Sequence, residues 1–444
     1  MLSFLSNLNP DFKKLLSGSG LVMAFKVAGA GAGYVFAYLI TSNYGARAFG
    51  IFELSLTALT IASVFGRLGL DGALVRFIPE FVEKKAPEHL RKVYGYALIL
   101  ALPFSMVLAA LLYVFSDAIA LQLGSELLGD AFRITAFLIP FSTWFGLNSE
   151  AFRGMRRMVE YSIFQRGTVI LLAIIAFFSF QYFEIDIEDN LLPLIAFGIG
   201  AILLSLTAGI RTPRILSQII PPAASNDKLI EPLEVKPLLR VAFPMLLSTS
   251  MFMIMNWTDT IMIGYYLDEK EVGIYRLAFK VASLITFAQF AINSIAAPMF
   301  SSFYAKNDLA GMKKIIRNIG YMNIAISTPI FIAILIFPSF VLDFFGEDFS
   351  AGAAPLIVLA IGQIINALCG PVMYLLNMTG KEKKARNIII IASIINLGLN
   401  VYFIPIYGLM GAAFATAIST AVWNVMAVIQ IKKEYGFISI PHPF

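Results

Sequence analysis

The chain has 444 residues, of which 59% are hydrophobic and only 14% are charged. A soluble domain carries about 25% charged residues, so this composition and a mean hydropathy of +0.80 exclude one large soluble core. The net charge of +5 and pI near 9.0 do not indicate a nucleic-acid partner, because the basic residues sit in short loops between apolar runs, the pattern of a membrane protein facing lipid headgroups.

In chain order, the first 19 residues read as an amphipathic helix at the membrane interface, with no cleavage site for a signal peptide. Apolar runs of about 20 residues then recur, the length that crosses about 30 Å of hydrocarbon. They predict spans at Gly20–Ile40, Phe49–Gly69, Val93–Phe115, Phe132–Phe152, Ile163–Phe183 and Leu191–Ile210. A polar, proline-bearing linker over 211–238 follows. Six more runs lie at Leu239–Tyr265, Val272–Phe300, Ile319–Phe337, Ala353–Met378, Asn387–Phe403 and Leu409–Ile431, before a tail over 432–444. None alternates as a membrane barrel strand would. The fold class is therefore an all-α integral membrane protein of about 12 transmembrane helices in two six-helix bundles, 20–210 and 239–431.

Loop charge gives the orientation. Lys84, Lys85, Arg153, Arg156, Arg157, Arg211, Lys313, Lys314, Lys381, Lys383, Lys384, Lys432 and Lys433 fall in one set of loops. Asp117, Glu126, Asp130, Glu184, Asp343, Glu347 and Asp348 fall in the intervening set. Both termini are expected to be cytoplasmic, in a multi-pass protein of the plasma or inner membrane. The halves also repeat: Gly50-Ile51-Phe52 aligns with Gly273-Ile274-Tyr275, and Gly95-Tyr96 with Gly320-Tyr321. Six spans per half put both bundles in one orientation, related by a pseudo-twofold axis along the membrane normal and enclosing a cleft.

The segment RLGLDGALVRFIPEF from Arg67, and NWTDTIMIGYYLDEKEVGIYRLAFKVA from Asn256, are similar to the polysaccharide flippases of the multidrug/oligosaccharidyl-lipid/polysaccharide exporter superfamily. The resemblance covers essentially the whole chain. It implies an alternating-access flippase that carries a polyprenyl-pyrophosphate-linked oligosaccharide, a precursor of cell-surface polysaccharide, from the cytoplasmic to the outer leaflet. It further implies membrane lipids as surroundings and a polysaccharide polymerase or glycosyltransferase machinery as partner. The rival reading is a cation-coupled multidrug exporter of the same fold.

Charges inside spans are expensive and ask for partners. Lys26 in the first span reads either as a ligand for an anionic headgroup or as a structural pair that snorkels. Gly29 and Gly33 beside it have GxxxG spacing, for close packing or for bending. Arg276 and Lys280 share one face of the eighth span and suit a pyrophosphate, which arginine meets with two parallel hydrogen bonds. Asp259 and Asn256 share a face of the seventh. Asp259 is expected either to bridge to Lys280 or to take a coupling proton or sodium ion. Glu53 follows the first Gly-Ile-aromatic triplet as Arg276 follows the second, so facing halves bring the two together across the outer mouth as a gate. Arg67, Asp71, Arg76 and Glu80 are expected to form i,i+4 ion pairs at the cytoplasmic end of the second span, with recognition of an incoming headgroup as the alternative. Gln363, Asn366, Asn396 and Asn400 form polar stripes that suit interhelical hydrogen bonds or sugar contact equally. There is no GxxxxGK[ST] loop for an ATP-driven pump. The longest loop, about Arg211–Pro237, carries no acidic or metal-binding cluster, so no enzyme activity, catalytic residue, metal or cofactor is expected.

Overall fold

A computed structural model describes residues 10–185, 187–219 and 234–440. All regular structure among them is helical. In chain order the helices are α1 (Pro10–Gly66), α2 (Leu70–Glu83), α3 (Pro87–Val114), α4 (Ser116–Gln122), α5 (Leu127–Gly154), α6 (Met158–Ile163), α7 (Arg166–Tyr182) and α8 (Leu192–Ile219). After the linker come α9 (Val235–Tyr266), α10 (Glu269–Ser283), α11 (Phe287–Ala305), α12 (Leu309–Ile336), α13 (Pro338–Asp343), α14 (Ala353–Cys369), α15 (Val372–Met378), α16 (Glu382–Tyr407) and α17 (Leu409–Tyr435). Seven helices among the described residues are long and apolar enough to cross a membrane by length and composition. Helices satisfy their own backbone hydrogen bonds, which hydrocarbon demands.

The chain divides into two compact units. Residues 1–40 and 54–250 form the first, and residues 41–53 and 251–444 the second. In the first unit α5 packs against α3, α8 and α2, while α7 lies along α8. Gly29 on α1 meets Gly167 on α7 so closely that a Cβ on Gly29 would lie 2.7 Å from the Gly167 Cα. That contact is helix packing, one of the two roles open to the glycine pair. In the second unit α17 packs against α16 and α14, and α14 against α12 and α10.

Several expected spans differ from the structure at defined points. The first two agree with it: α1 is two helices divided by a kink at Gly45 (φ 77°, ψ −170°), a positive-φ backbone that only glycine adopts at no steric cost, and the kink falls between the two expected spans. Val272–Phe300 is interrupted by a 3₁₀ turn at Leu284–Thr286. Ala353–Met378 is interrupted at Gly370 (φ 76°, ψ −156°), ahead of Pro371. The freed Gly370 carbonyl is satisfied by the Gln289 amide at 3.1 Å and the Cys369 carbonyl by the Ser439 hydroxyl at 3.1 Å. Of the expected interfacial helix 1–19, residues 1–9 lie outside the described residues, and the rest continues into α1. Residues 220–233 of the linker and 441–444 of the tail also lie outside them.

The end of α17 is fastened to the start of α16. Glu434 accepts from Lys381 at 2.8 Å and from Lys384. These bonds, that from Lys381 first, hold its carboxyl down at about 2. A value depressed in the folded protein stabilises it at pH above the ordinary glutamate range, and that stabilisation is lost as pH falls from there toward about 2. Thermal unfolding across this window should show the loss in the wild type. In a Lys381→Ala/Lys384→Ala variant, this part of the acid dependence should be absent.

Candidate functional site

The intramembrane polar groups of the second unit gather around the hairpin of α9 and α10. Asp268 caps α10, its side chain accepting from the Glu271 N–H at 2.8 Å, and Glu269 and Glu271 in the first turn complement the helix dipole. The capped turn sets the register that places Tyr275 opposite Asp259. The Tyr275 hydroxyl donates to Asp259 Oδ2 at 2.6 Å, and Thr416 Oγ1 on α17 lies 3.2 Å from the same oxygen. Asp259 Oδ1 accepts from the Thr260 N–H at 2.9 Å. Both Asp259 and Tyr275 are buried. The expected Asp259–Lys280 bridge is thus replaced by a neutral O–H cage, because the aromatic of the Gly-Ile-Tyr triplet reaches the carboxylate.

The polar groups continue along α17 and α16. Ser419 Oγ donates to the Thr416 carbonyl at 3.0 Å, Asn396 Nδ2 donates to Ser419 Oγ at 3.1 Å, and Asn400 Nδ2 donates to Asn396 Oδ1 at 3.1 Å. The Asn396/Asn400 stripe is therefore an interhelical hydrogen-bond chain. On α14, Gln363 accepts from Thr286 at 3.1 Å. Asn400 Oδ1 and Thr260 Oγ1 are buried acceptors without a protein partner.

Immediately after Tyr275, Arg276 places its Nε 3.0 Å from Glu53 Oε2, with side chains 13% and 6% exposed. The guanidinium also stacks at 4.6 Å over the Trp257 ring and 5.5 Å from Phe279. A buried pair held by an aromatic face has its fork pre-oriented. Lys280 sits 5.9 Å from the Phe49 ring. Asn256 lies next to Trp257 on α9, partly buried. The side chain of Lys26 lies outside the described residues.

In the first unit, Arg67 pairs with Asp71 at 3.5 Å and lies against Gly146, where a Cβ would be 2.4 Å from Nη1. The second expected pair is corrected: Glu80 bonds Lys84 at 2.6 Å, while Arg76 lies over the Phe77 ring at 5.7 Å. Both partners stand four residues from Glu80, and the lysine at the helix end also gains from the helix dipole. The sequence reading missed Tyr275 and Thr416 as partners of Asp259, and it missed Arg47, which lies 3.2 Å from Glu269. The aromatic after each Gly-Ile was a usable signal for Tyr275. Thr416 stands in an Ala/Thr/Ser run that carries none.

Among the described residues no three His, Cys, Asp or Glu side chains converge as a metal site. Nor do the groups above form a nucleophile and base pair. They can hold an anion, hold a cation, or break and remake an ion pair.

Residues 15–304 match the family model described as polysaccharide biosynthesis protein, and residues 244–402 match MatE. The chain is 23% identical over 429 residues to the probable flippase AglR of Haloferax volcanii, covering 95% of this chain and 84% of that protein. It is 30% identical over 191 residues to the probable low-salt glycan biosynthesis flippase Agl15 of the same organism, a match spanning 41% of this chain and 40% of that protein. The structure resembles the lipid II flippase MurJ in its inward closed conformation (TM-score 0.69, 16% identity, 94% of this chain and 87% of that one). It also resembles the MATE multidrug transporter DinF-BH (TM-score 0.61, 16% identity, 95% of each chain). At these identities the structural likeness establishes the fold, that of a helical multi-pass membrane protein.

Proposed function

Because this chain belongs to the polysaccharide biosynthesis protein family, we propose that it flips a polyprenyl-pyrophosphate-linked oligosaccharide from the cytoplasmic to the outer leaflet of the cell membrane by alternating access. The likeness to AglR along 95% of the chain carries the reading, since that protein is itself described as a probable flippase. On this reading twelve spans cross the membrane with both termini cytoplasmic, and a polymerase or glycosyltransferase machinery uses the cargo.

Arg276 and Lys280 hold the pyrophosphate, the role the sequence also offers Lys26. Glu53, 3.0 Å from Arg276, is the acceptor that the pyrophosphate must displace. Two acceptors for one guanidinium make pairing with Glu53 and pairing with phosphate alternatives, which links cargo binding to release of the pair. Asp259 and Asn256 serve the gate or a coupling proton or sodium ion. The MatE match, together with the buried carboxylate of Asp259, supports the second reading, an exporter of organic cations.

The chain has three tryptophans, and Trp257 stacks directly on Arg276. Titrating a soluble polyprenyl diphosphate into the purified protein should change tryptophan fluorescence saturably. The signal should weaken at least tenfold in Kd in a Lys280→Ala variant and vanish in Trp257→Phe. A response to a lipophilic organic cation, with none to the diphosphate, contradicts the flippase reading.

A further inference from the structure

In the first unit a groove of about 650 Å³ runs between α3 and α5, over 102–114 of the one and 133–144 of the other. At 1.5 Å per residue it is about 17 Å long, the depth of one leaflet of a hydrocarbon core about 30 Å thick. The buried residues of α3 run from His89 to Ser105, and none follows. Beyond Pro103, whose ring removes a helix bond, α3 therefore stands off from the rest of the unit. Small residues on facing helices ordinarily let the backbones touch. Here Ala110 on α3 and Ala136 on α5 line the groove instead. Ala136 is buried and belongs to its floor, while Tyr113 and Phe137 are exposed and stand at its lips.

Among the described residues that line the groove one is charged, Arg133, at the end nearest the acidic loop that follows α3. Its Nη1 donates to Asp130 at 2.6 Å and its Nη2 to Asp117 at 2.6 Å. The side chains of Arg133, Asp130 and Asp117 are 40%, 62% and 71% exposed. A guanidinium has five N–H donors, so Arg133 keeps donors for a further acceptor. The two carboxylates keep lone pairs for a further donor. One positive and two negative charges thus stand together at the end of an apolar channel.

We propose that this groove is a binding site for a zwitterionic phospholipid, one chain lying between α3 and α5, its phosphate on Arg133 and its ammonium on Asp117 and Asp130. An unfilled gap forfeits the dispersion contacts of its walls, and inside a bilayer the filler at hand is a lipid chain. Charge then selects the headgroup. A polyprenyl diphosphate would bring at least two negative charges against two carboxylates and a single guanidinium. A phospholipid with an uncharged headgroup would set its phosphate beside the carboxylates and give them nothing. An organic cation would suit the carboxylates and meet the charge of Arg133. A zwitterion answers all three groups. The bound lipid supplies the packing that α3 lacks beyond Ser105, so it is a fixed component of the first unit rather than its surroundings. This site is independent of the cargo.

The test titrates dioleoyl phosphatidylethanolamine and dioleoyl phosphatidylglycerol against the purified full chain and counts retained lipids by native mass spectrometry. The wild type should hold one phosphatidylethanolamine with a Kd at least tenfold below that for phosphatidylglycerol. Ala110→Phe fills the groove and should weaken phosphatidylethanolamine at least tenfold. Val107→Phe, at an exposed position of the same helix outside the lining, should leave it unchanged. Asp117→Asn with Asp130→Asn keeps the channel and should erase the preference between the two headgroups, a result that stands even where Ala110→Phe fails to fold. Equal retention of both lipids by the wild type, or undiminished retention by folded Ala110→Phe, overturns the proposal. Displacement of phosphatidylethanolamine by an equal concentration of polyprenyl diphosphate overturns it in favour of the cargo. The same displacement by a lipophilic organic cation overturns it in favour of an exporter.

Discussion

An Arg276→Ala variant is expected to reach the membrane folded and to flip cargo at least a hundredfold more slowly than the wild type. Arg276 has three partners: the Glu53 carboxylate at 3.0 Å and the rings of Trp257 and Phe279. Removing one partner of a buried ion pair costs about 3–5 kcal/mol, because the remaining charge is left without compensation. Inverting a two-state equilibrium from 1:99 to 99:1 takes about 5.5 kcal/mol, so the loss is large enough to redistribute the closed and open states. The same substitution removes the planar fork proposed for the pyrophosphate. Two further variants separate these roles. Exchanging the charges, Glu53→Arg with Arg276→Glu, rebuilds a pair and should restore the thermal midpoint but not flipping if the arginine must also meet phosphate. Arg276→Lys keeps the charge and loses the fork and the stacking, so it should retain part of the gate and less of the cargo affinity. Full flipping by the charge-exchanged protein would contradict the headgroup role. Unchanged flipping by Glu53→Gln would contradict the gate.

The second large effect is expected at the Asp259 cage. Tyr275→Phe removes the 2.6 Å donor from a fully buried carboxylate and leaves only Thr416 and a backbone N–H. Leaving such a group under-satisfied costs about 1–3 kcal/mol, read as a fall in the thermal midpoint of the purified protein. Removing both polar partners at once, as Asp259→Leu with Tyr275→Phe, takes away the desolvated charge itself and should recover much of that midpoint. Flipping should not recover. A double variant that regains stability while transport stays at least tenfold down identifies the carboxylate as working rather than merely packed. Recovery of both would assign the cage a structural role alone.

The class, a helical multi-pass membrane protein, could be read from hydropathy, and the Gly-Ile-aromatic triplets aligned positions that the structure brings together. The meeting of Glu53 and Arg276 followed from that repeat, since each charge stands in the same position after its triplet. What remained hidden follows from physics that hydropathy does not record. The break at Gly370 depends on backbone dihedrals, and a glycine in an apolar run looks the same whether straight or broken. Matching Asp259 to Lys280 assumed that charge seeks charge. In the buried hairpin the nearer phenol serves the carboxylate without importing a second ion. The choice of Lys84 over Arg76 by Glu80 turns on two partners at equal spacing, which only helix-end position separates.

The most direct test is exposure of the sugar. Liposomes containing the protein and a polyprenyl-diphosphate-linked oligosaccharide, labelled on the sugar and loaded in one leaflet, would be treated with an impermeant glycosidase on the opposite face. The account predicts that the labelled sugar becomes accessible with wild-type protein and remains protected with Arg276→Ala. Protection with the folded wild type, alongside uptake of an organic cation by the same vesicles, would contradict it.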